Sequence, residues 1–207
     1  IGSFKNNKIQ ILKSKKKILI NFISQFRINN SGIEIASNFG FNKAKGKFIV
    51  RVDADDKLKP KFLHLLEKNL SSNFDFYYSD YEVIDNNGGL ISRMCLPEFD
   101  KNEIFERGDF LATGTVYAAK ILKKYCYYNE GIKNSGLENY ELILRLIQDQ
   151  KIGKHIANSM FCYRRHNSNI SIKKNQQIIN NGGVLFEKLG LGTYRTNKFH
   201  PYNPQEA

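Results

Sequence analysis

The sequence contains no tryptophan, four prolines and three cysteines. Cys95, Cys126 and Cys162 are far apart and odd in number, and none of them forms the C-x-x-C spacing of structural zinc sites. Neither a structural zinc site nor a disulfide framework is therefore indicated. A reducing compartment, and hence a cytoplasmic location, is the economical interpretation. No apolar run approaches the roughly 20 residues that a membrane-spanning helix needs.

The composition is that of a globular protein. Hydrophobic residues make up 41% of the 207 residues, charged residues 25% and aromatic residues 13%. This content is ordinary for a folded soluble domain and argues against extended disorder. The length suits one well-cored domain, and no internal repeat or linker rich in proline, glycine and serine divides it. We therefore expect a single domain over residues 1–207.

The chain is strongly basic, with a formal net charge of +12. Most lysines are scattered, but Lys13, Lys15, Lys16 and Lys17 form one compact cluster. This cluster is either a solvated loop or a patch that contacts a membrane surface or a polyanion. Nucleic-acid binding is supported by charge alone, because no sequence signature of a nucleic-acid-binding fold is present. We expect no nucleic-acid partner.

Strand-like and helix-like segments alternate along the chain. Hydrophobic periodicity and turn residues predict strands at 8–12, 47–52, 75–84, 90–94, 114–118 and 154–164. They predict helices at 31–45, from Pro60 to about 70, and at 121–125, 138–150 and 176–189. Ser31 is the expected N-cap of the first helix and Gly46 its end. Such alternation predicts an α/β protein with a largely parallel sheet.

An acidic run, Asp53-Ala54-Asp55-Asp56, directly follows the strand KFIVRV. Ligands bind at the carboxyl ends of strands in open α/β sheets. If the strand's alternation continues, Asp53 and Asp55 project to the same side. Two carboxylates there suit a hard divalent cation that bridges phosphate oxygens. The alternative is a surface turn in which an aspartate caps the helix at Pro60.

Three segments resemble the inverting family 2 glycosyltransferases. Segment 38–56 (NFGFNKAKGKFIVRVDADD) is similar to the family's Ala-Arg-Asn-x-Gly, Ala-x-Gly-x-(Tyr/Phe)-(Ile/Val) and Asp-x-Asp-Asp patterns. Segment 136–146 (GLENYELILRL) is similar to Gly-x-Glu-Asp-(Tyr/Trp)-x-Leu-x-x-Arg, and segment 163–171 (YRRHNSNIS) to Tyr-Arg-x-His-x-x-x-x-Ser. The three motifs occur in the family's order, and the resemblance covers roughly residues 8–171.

The resemblance implies a GT-A fold, which is Rossmann-like with a mixed, mostly parallel sheet flanked by helices. It also implies roles for matching residues. Asp53 would face the ribose or uracil side of a nucleotide-sugar and help to hold the metal, with Ala54 beside it. Asp55 would ligate Mg²⁺ or Mn²⁺. His166 would be a further metal or diphosphate ligand, since neutral imidazole suits Mn²⁺; the alternative is a histidine in an exposed loop.

Further residues would complete the donor site. Arg164 or Arg165 would pair with the diphosphate through a forked guanidinium, or would form surface ion pairs instead. Asn38 would lie close to the donor pocket. The donor is expected to be UDP-linked, and the acceptor a growing glycan, a lipid-linked glycan or a protein. The lysines and scattered aromatic residues fit a peripheral position at the inner face of the membrane.

The catalytic base is the point at which the sequence departs most from the family. The family's Glu-Asp pair, which supplies the base, reads Glu138-Asn139 here. An amide cannot accept the proton, so Glu138 is the candidate and Glu141 a distant second. Glu138 is alternatively a helix N-terminal residue that favours the macrodipole. The departure also leaves open a catalytically inactive relative that acts as a binding module.

Two other departures concern the donor side. Ser37 stands where the family has arginine, which removes one donor contact. The family's opening strand and Val-Asp-Asp-Gly-Ser segment, which hold the base of the nucleotide, have no counterpart, so we expect about 50 preceding residues to be missing. We assign donor binding to residues 1–70, acceptor binding to 71–190 and a C-terminal tail to 191–207.

Overall fold

The computed structural model describes residues 10–14, 17–21, 24–108, 111, 114–132 and 134–194, and the chain forms two compact units, residues 1–31 and 32–207. The first unit contains an antiparallel hairpin of β1 (Gln10–Ser14) and β2 (Lys17–Asn21), with Gln10 opposite Asn21. The strand predicted at 8–12 overlaps β1, and its first two residues lie outside the described ones. Lys15 and Lys16 of the lysine cluster lie outside them as well.

The second unit is built on a six-stranded sheet. Its strands are β3 (Phe48–Val50), β4 (Lys57–Leu58), β5 (Phe76–Ile84), β6 (Leu90–Met94), β7 (Val116–Ala118) and β8 (Gly153–Arg164). The order is β3-β7-β5-β8-β4, and β6 pairs with the second half of β5. The mixed α/β class is thus confirmed. The strand pairing differs from the largely parallel sheet that was expected, because among the described strands only β5 and β8 are parallel neighbours.

Seven α-helices accompany these strands within the described residues. They are α1 (Ile33–Lys43), α2 (Phe62–Asn69), α3 (Lys101–Arg107), α4 (Ala119–Lys124), α5 (Glu138–Gln148), α6 (Ile170–Lys173) and α7 (Asn175–Lys188). The N-cap of α1 is Gly32, with φ of 99°, and not Ser31 as predicted. This backbone conformation favours glycine. The helix ends at Lys43, three residues before Gly46, and α2 starts two residues after Pro60.

Helix α5 is the centre of the main core. Leu142, Ile143, Leu144 and Leu146 are fully buried, so the helix is apolar on more than one face. The core around it includes side chains from the sheet, from α3 and from α7: Phe76, Tyr117, Ile104, Ile178, Leu185 and Phe186. This packing fixes the N-terminus of α5, where Glu138 lies.

A second core covers the other side of the sheet. Phe62 and Leu66 of α2 pack with Tyr77 of β5 and Met160 of β8. Tyr77 belongs to this core, whereas its neighbour Phe76 belongs to the α5 core. The alternation follows from the two-residue period of a strand. Helices α2 and α5 therefore pack on opposite faces and hold the sheet between them.

The sequence indicated neither a disulfide framework nor a membrane-spanning helix. All three cysteines are free thiols, which agrees with the absence of a predicted disulfide framework. Over the described ranges, no helix has both the length and the apolar content that crossing a bilayer requires.

Candidate active site

The acidic run forms a tight turn after β3. The N–H of Asp56 donates to the carbonyl of Asp53 at 3.0 Å. Asp53 and Asp55 therefore do not alternate along a strand as predicted, and their side chains take different partners. Helix α2 starts after Lys61 with no side-chain cap, so none of these aspartates caps it. Ala54 lies exposed at the corner of the turn.

Arg51 joins the acidic turn to helix α5. Its Nε and Nη2 donate to the two carboxylate oxygens of Asp53 at 2.7 and 3.0 Å, and its Nη1 donates to Glu138 Oε1 at 2.7 Å. The guanidinium also lies 5.7 Å from the centre of the Tyr128 ring. The side chain is 17% exposed. One buried cation thus holds the first aspartate of the motif and the candidate base.

Asp55 faces His166 across the sheet edge. Asp55 Oδ2 lies 3.0 Å from His166 Nε2, and the other ring nitrogen, Nδ1, lies 2.7 Å from the Ser168 hydroxyl. The imidazole is 21% exposed, so it is not the exposed loop histidine of the alternative interpretation. Two ligands at right angles around an octahedral cation, each roughly 2.1 Å away, are about 3 Å apart. The pair therefore fits two adjacent positions around Mg²⁺ or Mn²⁺.

Asp56 is a partly buried carboxyl group of the turn. Its Oδ1 accepts from the Arg164 N–H at 2.8 Å, while its Oδ2 is buried without a hydrogen-bond partner. Burial raises the pKa of Asp56 to about 6; the charges of Asp53 and Asp55 act in the same direction, and the bond from Arg164 opposes them. Negative charge is thus concentrated where a cation would be stabilised.

Arg164 has backbone partners in two turns. Its Nε donates to the Asp55 carbonyl at 2.9 Å, and its Nη1 donates to the carbonyls of Asp85 and Asn86 at 2.5 and 2.9 Å. The guanidinium therefore connects the acidic turn to the turn between β5 and β6, and pairing of Arg164 with a diphosphate stays a prediction. The neighbouring Arg165 side chain is exposed.

Asn38 contacts the loop that contains Tyr128 and Glu130. Its side chain accepts from the Tyr128 N–H at 3.0 Å and donates to the Tyr128 carbonyl and to Glu130 Oε1, both at 2.9 Å. It is 6% exposed. Asn38 thus stabilises the loop that carries Tyr128. Because the Tyr128 ring lies beside Arg51, Asn38 supports the site indirectly.

The three polar residues at the start of α5 have three different environments. Glu138 contacts Arg51, as described above. Asn139 is buried, and its Oδ1 accepts from the hydroxyls of Tyr117 and Tyr128 at 2.7 and 3.3 Å. Glu141 is 1% exposed and forms a two-pronged pair with Arg145 at 2.8 Å. The second base candidate is therefore committed to an internal ion pair.

The structure brings some predicted site residues together and separates others. Asp55 and His166 meet, whereas Asp53 is held by Arg51. Within the part of the chain that is described, no group of three or more His, Cys, Asp or Glu side chains is arranged around a metal position. Sequence reasoning missed Arg51, although a charged residue inside the otherwise apolar segment FIVRV signals that a buried partner is needed.

Part of this site lies within a region that a known protein family matches. The family described as Glycosyl transferase family 2 matches residues 2–133. The matched region includes β3, the acidic turn and Asn38. It ends before Glu138 and His166, so those two residues rest on the motifs and on the contacts described above.

Two curated relatives match most of this chain. Hyaluronan synthase of Pasteurella multocida is 29% identical over 152 residues, which cover 70% of this chain and 15% of the relative. Chondroitin synthase of Escherichia coli is 29% identical over 189 residues, which cover 88% of this chain and 26% of the relative. The chain thus spans about a seventh and about a quarter of the lengths of these relatives.

One solved structure shares the fold. A crystal structure of S. aureus TarS in complex with UDP-GlcNAc superimposes with a TM-score of 0.55 at 13% identity, over 82% of this chain and 50% of TarS. At this identity the likeness concerns the fold alone, and it agrees with the expected GT-A arrangement.

Proposed function

Because the chain belongs to glycosyl transferase family 2, we propose that it transfers a sugar from a nucleotide-sugar donor to an acceptor hydroxyl, with inversion and with a divalent metal. UDP is the nucleotide we favour, since TarS, which shares the fold, was crystallised with UDP-GlcNAc. The acceptor is a glycan, a lipid-linked glycan or a protein. The two synthases named above, whose products are polysaccharides, favour a glycan.

The observation that carries this proposal is the bridge made by Arg51. A single guanidinium lies 2.7 Å from Asp53 and 2.7 Å from Glu138. The family's acidic motif and the residue proposed as the base therefore belong to one site, although β3 and α5 are far apart in the chain. Separate surface roles for the two carboxylates would not need a shared buried cation.

Asp55 and His166 are the residues that would hold Mg²⁺ or Mn²⁺. The bound cation would stabilise the negative charge of the departing nucleoside diphosphate. Ser168 orients the imidazole through Nδ1, which accepts from the Ser168 N–H at 3.2 Å and lies 2.7 Å from the Ser168 hydroxyl. The Arg164 contact with the Asp55 carbonyl keeps the turn in place.

Glu138 takes the proton in the proposed reaction. The acceptor hydroxyl oxygen attacks the anomeric carbon, the bond from that carbon to the diphosphate oxygen breaks, and the hydroxyl proton passes to the Glu138 carboxylate. Attack opposite the leaving group inverts the anomeric centre. Arg51 holds the carboxylate in place through a charge-assisted hydrogen bond.

The division of the chain and its location are part of the same proposal. Donor contacts are assigned to residues 1–70 and acceptor contacts to residues 71–190. We also propose a cytoplasmic location, with peripheral contact at the inner face of the membrane through the cluster at Lys13 and Lys17.

A second candidate function is a binding module without catalysis. It is favoured by one observation, namely that Asn139 stands where the family has an acid. The contacts of Asn139 with Tyr117 and Tyr128 give that side chain a structural task within the core. The Asn139 side chain thus contacts the two tyrosines. An amide at position 139 therefore leaves the contacts of Arg51 with Asp53 and Glu138 intact.

The test is turnover of nucleotide-sugars by the full chain. UDP release is measured for a panel of UDP-sugars with Mn²⁺, with Mg²⁺ and with EDTA, and the anomeric configuration of the product is followed by proton NMR. We expect metal-dependent release of UDP and an inverted product. Retained UDP binding without any release would instead support the binding module.

A further inference from the structure

An open cleft of about 800 Å³ lies beside the candidate site. One wall is the turn between β5 and β6, with Asn86 and Asn87, and the other is the segment after β8, with Arg165, His166 and Ser168. Lys173 of α6 also lines it. Its lining residues come from the part of the chain proposed above to contact the acceptor, which also contains His166 of the proposed metal pair.

The cleft carries two cations that have no acidic partner in the described structure. Arg165 and Lys173 are exposed, and among the described residues neither forms an ion pair with a carboxylate. Asp85 is the acidic residue of the lining. Its Oδ1 accepts from the N–H groups of Asn87 and Gly89, both at 2.8 Å. The carboxylate of Asp85 is thus engaged by its own turn, and the two cations are available to a ligand.

The two walls of the cleft are fixed to each other before any ligand binds. Arg164 donates to the carbonyls of Asp85 and Asn86 on one wall. The Arg165 N–H donates to the Ile84 carbonyl at 2.8 Å. The cleft therefore needs no large rearrangement to form, and preorganisation of this kind lowers the cost of binding.

His166 belongs both to the cleft lining and to the pair with Asp55. Nε2 of the imidazole meets Asp55, which is not part of the cleft lining among the described residues. Nδ1 meets Ser168, which is part of it. Asp55 and His166 are the residues that would hold the metal and its diphosphate, and the cleft continues from His166 to Ser168 and Lys173. This position suits a portion of the acceptor.

The chemistry of the lining identifies the kind of acceptor. Arginine and lysine bind carboxylates and phosphates by charge-assisted hydrogen bonds. Asparagine amides and the serine hydroxyl can donate to and accept from sugar hydroxyls. We propose that this cleft binds an acidic glycan acceptor, with Arg165 and Lys173 on its carboxylate or phosphate group. The inference rests on the proposed function, because it names the acceptor class of the same site.

The test compares charged and neutral probes. Affinities of the full chain are measured by calorimetry for a glucuronate-containing disaccharide, its carboxyl-reduced counterpart, a disaccharide phosphate, and UDP with Mn²⁺. The variant is Arg165→Gln combined with Lys173→Gln. Lys68→Gln, at an exposed lysine on α2, is the matched control for loss of surface charge. Thermal melting checks that all variants are folded.

The expected result is a preference of the wild type for at least one charged probe over the neutral one. The double variant should lose about tenfold or more of that affinity, since hydrogen bonds to charged groups are involved. Its affinity for UDP should fall less than its affinity for the charged probe, and Lys68→Gln should behave as wild type. Equal loss of UDP affinity would assign the two cations to the donor and overturn the inference, as would equal binding of charged and neutral probes or no binding of either charged probe.

The same preparations separate this inference from the proposed function. UDP release from UDP-sugars is recorded alongside the binding data. Binding of an acidic probe through Arg165 and Lys173 without UDP release supports the cleft and contradicts transferase activity. Metal-dependent UDP release without any preference for acidic probes supports the transferase and contradicts the cleft.

Discussion

Arg51 and Glu138 are 87 residues apart in the chain, yet Arg51 Nη1 lies 2.7 Å from Glu138 Oε1. The Nε and Nη2 atoms of the same guanidinium donate to the two carboxylate oxygens of Asp53. A largely buried arginine between two carboxylates thus connects the end of β3 to the start of α5. The stability of the fold and the proposed catalysis therefore depend on the same side chain.

Replacing Arg51 by glutamine should destabilise the protein by about 3 kcal/mol. The change removes a largely buried cation and leaves Glu138 buried without its ion pair, which is costly. Urea unfolding measures the free energy of unfolding, and Arg51→Lys should recover part of it, because lysine keeps the charge but not the fork. Lys68→Gln, the surface control, should change it by less than about 0.5 kcal/mol. A similarly small change for Arg51→Gln would contradict the bridge.

Replacing Asp55 by asparagine should abolish metal-dependent UDP binding. Asn keeps the size of the side chain but lacks the charge that a divalent cation needs. His166→Ala should weaken the same binding, whereas His64→Ala, at an exposed histidine of α2, should have no effect. Calorimetry with UDP, with and without Mn²⁺, measures it. A metal-dependent affinity that survives Asp55→Asn would remove Asp55 from the metal site.

Replacing Glu138 by glutamine should lower turnover by about 10²–10⁴-fold, the usual contribution of a general base. Glutamine retains an oxygen that can accept from Arg51, so the fold should persist. UDP affinity should hardly change. Glu67→Gln, on the exposed face of α2, is the matched control and should leave turnover as in the wild type. Unchanged turnover in Glu138→Gln would mean that the base lies elsewhere.

The local elements were predictable from sequence because their signals are local. The helix at 138–150 was predicted from its apolar spacing and occurs at Glu138–Gln148. The strand at 75–84 and the turn after it were predicted in the same way, and β5 and β6 occur there. Helices α3 and α6 and the two-residue strand β4 were missed, because segments of two to seven residues carry little periodicity.

The contacts of the site were only partly predictable. The family motifs named Asp55 and His166 separately, and the structure joins them across 111 residues. The alternation of strands and helices in the sequence does not show whether neighbouring strands are parallel or antiparallel. The predominance of antiparallel pairing was therefore missed. A motif names the residue type of Arg164 but not the partners of its guanidinium. Its three backbone acceptors depend on the way the turns at 53–56 and 85–89 meet, and no local pattern encodes that.

Replacing Asn139 by aspartate should not raise turnover, although it restores the family's acidic pair. Asn139 Oδ1 accepts from Tyr117 and Tyr128, so the new carboxylate would face two tyrosines inside the core and not Arg51. Burying a charge there should cost about 1–2 kcal/mol, partly offset because both tyrosine hydroxyls can still donate to it.

UDP release and urea unfolding of Asn139→Asp, each compared with the wild type, measure the two effects. We expect turnover within about threefold of the wild type, a change of about 0.7 kcal/mol or less in activation free energy. If the wild type releases no UDP and Asn139→Asp does, position 139 carries the base, and the natural chain is a binding module. If both are active and Glu138→Gln is not, the proton passes to Glu138, as the contact with Arg51 implies.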